Sequence, residues 1–211
     1  MKRRDFIKSA GAGAVLFPTV LTSLKTDLFA KEVKPYDLVA VKNGEPDKMF
    51  DKAIESLGGM KSFVKKGQTV VVKPNIGWDA IPERGANTNP ALVKRIIEHC
   101  YNVGAKTVYV FDNTCDNWKK AYENSGIEKA VKDAGGKILA ANNESNYVNE
   151  KIGNTVKLKE TKTHELILSS DVFINVPILK SHGSAKLTVS MKNLMGIIWD
   201  RRYWHGNDLH Q

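Results

Sequence analysis

The segment Lys180-Ser181-His182-Gly183 puts a cation, a hydroxyl, an imidazole and a conformationally free glycine within four residues, a combination that a purely structural loop seldom needs. A lysine amine there can stabilise developing negative charge, and an imidazole can move a proton near neutral pH. Lys180 and His182 are therefore candidate catalytic residues. Lys192 stands among apolar neighbours in Met191-Lys192-Asn193-Leu194-Met195-Gly196. It either lays its stem along apolar surface or turns its amine into a pocket, and in the second case it joins the catalytic set.

Asp112 ends an apolar run, where a carboxylate suits a metal ion or a general base; a helix cap would use the same residue. The loop that leaves its strand through Lys73-Pro74-Asn75 and enters its helix through Thr88-Asn89-Pro90 offers polar contacts. In Thr88-Asn89-Pro90 the proline suits a first helical position, so free backbone N–H groups and the Thr88 hydroxyl can hold an anion, although capping alone also accounts for Asn89. Asn75, Thr88, Asn89 and Asn193 are the candidate cofactor contacts, and Asp112 is the candidate metal ligand.

These residues act together only if the chain gathers them. Residues 36–42 read as a strand, and residues 46–57 as an amphipathic helix with Met49, Phe50, Ile54 and Leu57 on one side, stopped by Gly58-Gly59. The run Thr69-Val70-Val71-Val72-Lys73-Pro74 has the continuous β-branched character of a strand buried on both faces of a parallel sheet. A helix over 90–103, a strand over 106–111, a helix-rich stretch to Ala134 and a short strand over 137–141 follow. Residues 142–162 are polar and Asn-rich with weak strand signals, which reads as a surface excursion. Residues 171–177 resume the buried-strand pattern and 187–191 suggest one more strand.

Such alternation predicts an α/β domain over residues 31–211, an open and mostly parallel sheet with helices on both faces. Ligands of such sheets sit beyond the carboxyl ends of the strands. That rule selects the loops 74–89, 112–117 and 178–185, which hold most of the candidate residues.

Composition narrows the function classes. The chain has 211 residues, 42% hydrophobic and 26% charged, which is globular. Its net charge is +9, of which residues 1–30 supply +3. The remaining positive charge is dispersed, without the contiguous basic patch that nucleic acid requires. Cys100 and Cys115 fit no metal-ligand spacing, so no cysteine-ligated iron–sulfur cluster is expected, and two free thiols are expected in preference to a bridge. Gly11-Ala12-Gly13 does not follow a strand and is no dinucleotide fingerprint. Trp199 to His205 can line a site through His205, but aromatic packing is the simpler reading, and the tryptophans Trp78, Trp118, Trp199 and Trp204 would serve glycan recognition only if they shared a face.

The N-terminal Lys2-Arg3-Arg4-Asp5-Phe6-Ile7-Lys8, followed by a short Gly/Ala-rich apolar stretch, resembles a twin-arginine export signal. The resemblance implies a signal over residues 1–30, engagement of the twin-arginine export machinery and a periplasmic or otherwise extracytoplasmic destination. Membrane contact would come only through an uncleaved signal. Because that route carries folded proteins, a cofactor or metal ion inserted before export is compatible with it.

Read in order, Lys73-Pro74-Asn75, Thr88-Asn89-Pro90, Asp112, Asn175-Val176-Pro177 with Lys180-Ser181-His182, and Met191 to Gly196 resemble the domain of unknown function 362 family over about residues 69–205. The family's reaction is unassigned. Its members often place a histidine where this chain has Asn89, and some carry a ferredoxin-like module whose cysteines this chain lacks. They also continue for roughly another hundred residues, so the chain is expected to be incomplete. Two functions stand: an exported enzyme acting on a small anionic substrate, or a non-catalytic redox or iron–sulfur-associated binding protein with a redox partner.

Overall fold

A computed structural model describes residues 36–154 and 159–207. The expected signal over residues 1–30 lies outside the described residues.

The sheet is built on β1 (Thr69–Pro74), whose Val70, Val71 and Val72 are completely buried. Three consecutive buried valines require packing on both faces, and each contributes about 1.5–3 kcal/mol relative to exposure. β2 (Thr107–Val110) lies parallel to β1 on one side and β6 (Val172–Val176) lies parallel on the other. β3 (Lys137–Ile138) extends the β2 side, again in parallel, so the order is β3-β2-β1-β6. This is the α/β fold read from the sequence, a four-stranded parallel sheet flanked by helices. The chain winds away from β1 towards β3 and then returns to β1's other edge. Its connections therefore diverge at β1, which opens a crevice at the strands' carboxyl ends.

The first face of the sheet is covered by α1 (Pro46–Ser56), α2 (Pro90–Asn102) and α4 (Ile127–Asp133), with Val70, Val72, Val108 and Val110 meeting Ile54, Ile96, Ile97, Ile127 and Val131 in one core. α3 (Trp118–Asn124) adds Ala121 and Tyr122. The second face has a smaller core of Val71, Phe111, Ala141 and Tyr147. It is covered by the short α5 (Glu165–Ser169), through Leu166 and Ile167, and by Ile197 and Trp199.

Three readings need correction. Residues 36–42 form no strand, and Leu38 is 85% exposed; apolar alternation makes a strand only where a sheet edge takes up its backbone groups, and this segment pairs with neither outer strand, β3 or β6. The polar excursion is more ordered than its composition implies, because β4 (Tyr147–Lys151) and β5 (Glu160–His164) pair antiparallel, with Tyr147 and His164 turned into the second core. The strand expected over 187–191 is present only as far as Thr188, in a small separate hairpin of β7 (Lys180–His182) and β8 (Lys186–Thr188), after which Ser190–Asn193 turns into α6. Lys186, with a left-handed φ of 62°, opens β8 as the chain reverses out of β7.

Candidate functional site

Strand β1 ends by aiming Lys73 under the crevice, and the residue after Phe111 at the end of β2 is Asp112. Their side chains meet at 2.7 Å, with only 1% and 3% exposure. Lys73 Nζ also donates to Pro74 O and to Asn193 Oδ1, both at 3.0 Å. Asp112 Oδ2 accepts the Ile76 N–H at 2.7 Å; Oδ1 has the close charge contact with Lys73 but lies off the direction of a hydrogen bond. Asn193 completes the cluster by donating to Lys73 O (3.1 Å) and to Asn175 Oδ1 (2.7 Å). Burial pulls the Lys73 amine below its ordinary pKa and pushes the Asp112 carboxyl above its own, each opposed by the attraction of the other.

Gly196 seals this pair. A Cβ at that position would overlap Asp112 Oδ1 and stand 2.5 Å from Lys73 Nζ, so only glycine lets the backbone cross here. Its carbonyl accepts the Asn113 N–H at 3.0 Å, which ties the 194–197 turn to the end of β2.

Above the pair lies a cavity of about 290 Å³. Its cations are Lys180, Lys192, Arg201 and Arg202, with His182 and His205 beside them; among the described residues Asp112, already matched to Lys73, is the only carboxylate that lines it. Lys180 Nζ donates to Asn75 Oδ1 (3.0 Å) and Ala86 O (2.6 Å) and stands 5.7 Å from the centre of the Trp78 ring. Lys192 Nζ lies 3.1 Å from Met195 Sδ. Burial lowers the pKa of both amines. Arg201 donates its two terminal nitrogens to the carbonyls of Asn113 and Thr114. Those acceptors are neutral, and among the described residues the guanidinium forms no ion pair of its own, only a longer-range attraction to Asp112.

His182 has its tautomer fixed by its own hairpin. Its Nδ1 accepts from the backbone N–H groups of Ser184 (3.2 Å) and Ala185 (3.0 Å), which requires the proton on Nε2. Nε2 faces His205 Nε2 at 3.4 Å. Burial, Lys192, His205 and Lys180 all lower its pKa, so it is a neutral ring offering one N–H donor to the cavity.

A family model described as a domain of unknown function, DUF362, matches residues 70–211, well over half of the chain. The chain belongs to the DUF362 family. It is also 27% identical over 154 residues to a thylakoid-associated protein of Synechocystis sp.; the match covers 72% of this chain and 46% of that relative, so the chain spans about half of its length. No solved structure matches.

In this DUF362 chain, Lys180, His182, Lys192, Asn75, Asn193 and Asp112 all come to the one cavity. Thr88 and Asn89 do not line it. The buried Thr88 hydroxyl accepts the Asn75 N–H (2.8 Å) and donates to Val176 O (2.7 Å), latching the β1 loop to β6. Asn89 caps α2 by accepting the Ala91 N–H at 2.9 Å, which uses the side chain for helix initiation. Asp112 gives its oxygens to Lys73 and Ile76, and among the described residues no group of three or more His, Cys, Asp or Glu is placed to hold a metal ion.

Sequence reasoning missed four contributors. Lys73 gave no sign of an acidic partner 39 positions away. Cys115, a free and exposed thiol, lines the cavity. Arg201 and Arg202 enter from α7 (Arg201–Asn207), where a basic pair beside aromatic residues reads as surface. Trp199 packs on Tyr147 with ring centres 5.2 Å apart, as aromatic packing predicts, whereas His205 from the same stretch reaches the cavity.

Proposed function

We propose that the cavity binds a small organic anion and that the chain acts on it as an enzyme, with Lys180, His182 and Lys192 as the groups that meet it. One observation carries this reading: the cavity's four cations face a space whose only carboxylate among the described residues is already matched to Lys73. Uncompensated cations in a partly buried concavity favour a ligand of opposite charge, because the low-dielectric walls strengthen each contact. Lys192 and the α7 arginines would hold the anionic group, and the His182 N–H would supply a neutral hydrogen bond that does not titrate away. Asp112 is in this reading a positioning residue that fixes Lys73 and the Gly196 turn, in place of a metal ligand.

The same reading has the chain exported by the twin-arginine route. Support comes from Arg3-Arg4-Asp5-Phe6 in the sequence and from the thylakoid association of the Synechocystis relative. Among the described residues, no helix is long and apolar enough to cross a membrane.

A thermal-shift panel on the full chain tests the binding reading. It pairs each small phosphate or carboxylate with an uncharged molecule of the same body. At a hundred times Kd a ligand stabilises by about 2.7 kcal/mol, a shift of several degrees. The anionic members should raise the melting temperature and the neutral ones should not. Equal shifts from both would overturn the reading.

A further inference from the structure

Trp78 is the one large aromatic residue among the described residues that line the cavity, and it is 44% exposed. An exposed indole usually belongs to loose backbone, but here the backbone is clamped. Asn87, itself buried, accepts the Trp78 N–H (3.1 Å) and donates to Trp78 O (2.8 Å). The backbone that carries the ring is thus held in place, and the ring lines the cavity without being packed into the core. Such a ring is a preorganised stacking surface.

Its surroundings set what it would stack against. The Lys180 amine stands 5.7 Å from the ring centre, so an anionic group seated on Lys180 brings its attached body to within about one ring width of the indole. Ile178, Val189 and Met195 supply apolar wall on the same cavity. Its volume of about 290 Å³ lies at the lower edge of the roughly 300–1,000 Å³ typical of small-molecule sites, and a bare oxyanion would leave most of it unfilled.

Resting on the anion-binding reading above, we propose that the ligand is a planar aromatic or heteroaromatic body bearing one phosphate or carboxylate. The charged group meets Lys180, Lys192 and the α7 arginines, and the ring lies against Trp78. Trp78 is therefore the residue that separates aromatic anions from inorganic ones.

Calorimetric titration of the full chain with phenyl phosphate, cyclohexyl phosphate and inorganic phosphate tests this. Phenyl phosphate should bind at least about tenfold tighter than inorganic phosphate and several-fold tighter than cyclohexyl phosphate, a range set by the strength of aromatic stacking. Trp78→Leu should bring the two organic phosphates together while leaving inorganic phosphate within about twofold of its value, and Trp78→Phe should keep the phenyl preference. The retained inorganic phosphate affinity shows that the variants are folded. Equal affinity of the native chain for phenyl and inorganic phosphate, or a phenyl preference that survives Trp78→Leu, overturns the proposal while leaving anion binding in place. If neither phosphate binds, the anion reading fails and this inference with it.

Discussion

Replacing Lys73 by methionine should unfold the crevice from beneath. Methionine matches the lysine stem in length and leaves the Asp112 carboxylate at 3% exposure with its nearest charge partner removed. Removing one member of a buried ion pair costs about 3–5 kcal/mol, chiefly because the remaining charge has lost its compensation. The Ile76 N–H still bonds Asp112 Oδ2, which puts the expected loss towards the lower end of that range. The loss must depend on pH. With Lys73 gone, burial raises the folded Asp112 pKa further above the unfolded value of about 3.8. Folded protein then holds a proton that unfolded protein has released, so the variant loses stability as pH rises from about 4 and regains it in acid. Urea unfolding followed by tryptophan fluorescence at pH 5 and pH 8 measures this. The double variant Lys73→Met/Asp112→Asn should recover at least about 1 kcal/mol relative to the sum of the two single changes, since the charge that suffered is gone. A Lys73→Met loss under about 1 kcal/mol at pH 8, or strictly additive single changes, would refute the reasoning.

Three further outcomes follow from the same geometry. Gly196→Ala drives a methyl group against Asp112 and Lys73 and should cost at least about 1–3 kcal/mol by overpacking, read as a lower urea midpoint; an unchanged midpoint would mean that the turn moves freely. His164 is stacked on Phe111 with ring centres 4.1 Å apart, and burial lowers its pKa to about 4 from 6.5. Its folded pKa is depressed, so stability is full above pH 6.5 and declines by a few kcal/mol, about 3 at most, as pH falls towards 4; His164→Phe should flatten this window in a pH series of unfolding curves. Cys115 is exposed among cavity cations, whereas Cys100 is buried with its thiol pushed up to about 12. Peptide mapping after iodoacetate should find Cys115 alkylated and Cys100 untouched, with protection of Cys115 by phenyl phosphate; labelling of Cys100 in native protein would contradict the burial.

How much of this was legible depended on the range of the interaction that made it. The central strand was plain because Val70-Val71-Val72 carries its burial in its own composition. The loops that form the site follow from the rule that parallel strands end at a shared rim, which brings Asn75, Asp112 and Lys180 together from the sequence alone. What escaped depended on distant partners. Leu38 and Val41 look like strand residues until the segment is found to pair with neither outer strand of the sheet, β3 or β6. Lys73 looks like an ordinary lysine until Asp112 is folded against it. Thr88 and Asn89 offer the same donors and acceptors to an anion, a helix or a neighbouring strand, and their backbone partners used them first. Arg201 and Arg202 carry no local sign of a cavity, because the Asn113 and Thr114 carbonyls that hold Arg201 lie on another segment.

The central claim is that the cavity's charge is there for a ligand. Titrating phenyl phosphate into the full chain and into Lys192→Gln/Arg202→Gln by calorimetry tests it most directly, since neither side chain belongs to the buried Lys73–Asp112 cluster and the variant should fold unchanged. The account predicts one site per chain, weakened at least about tenfold in the double variant and weakened further by added salt. Binding of equal strength in both proteins, or none in either, would contradict it.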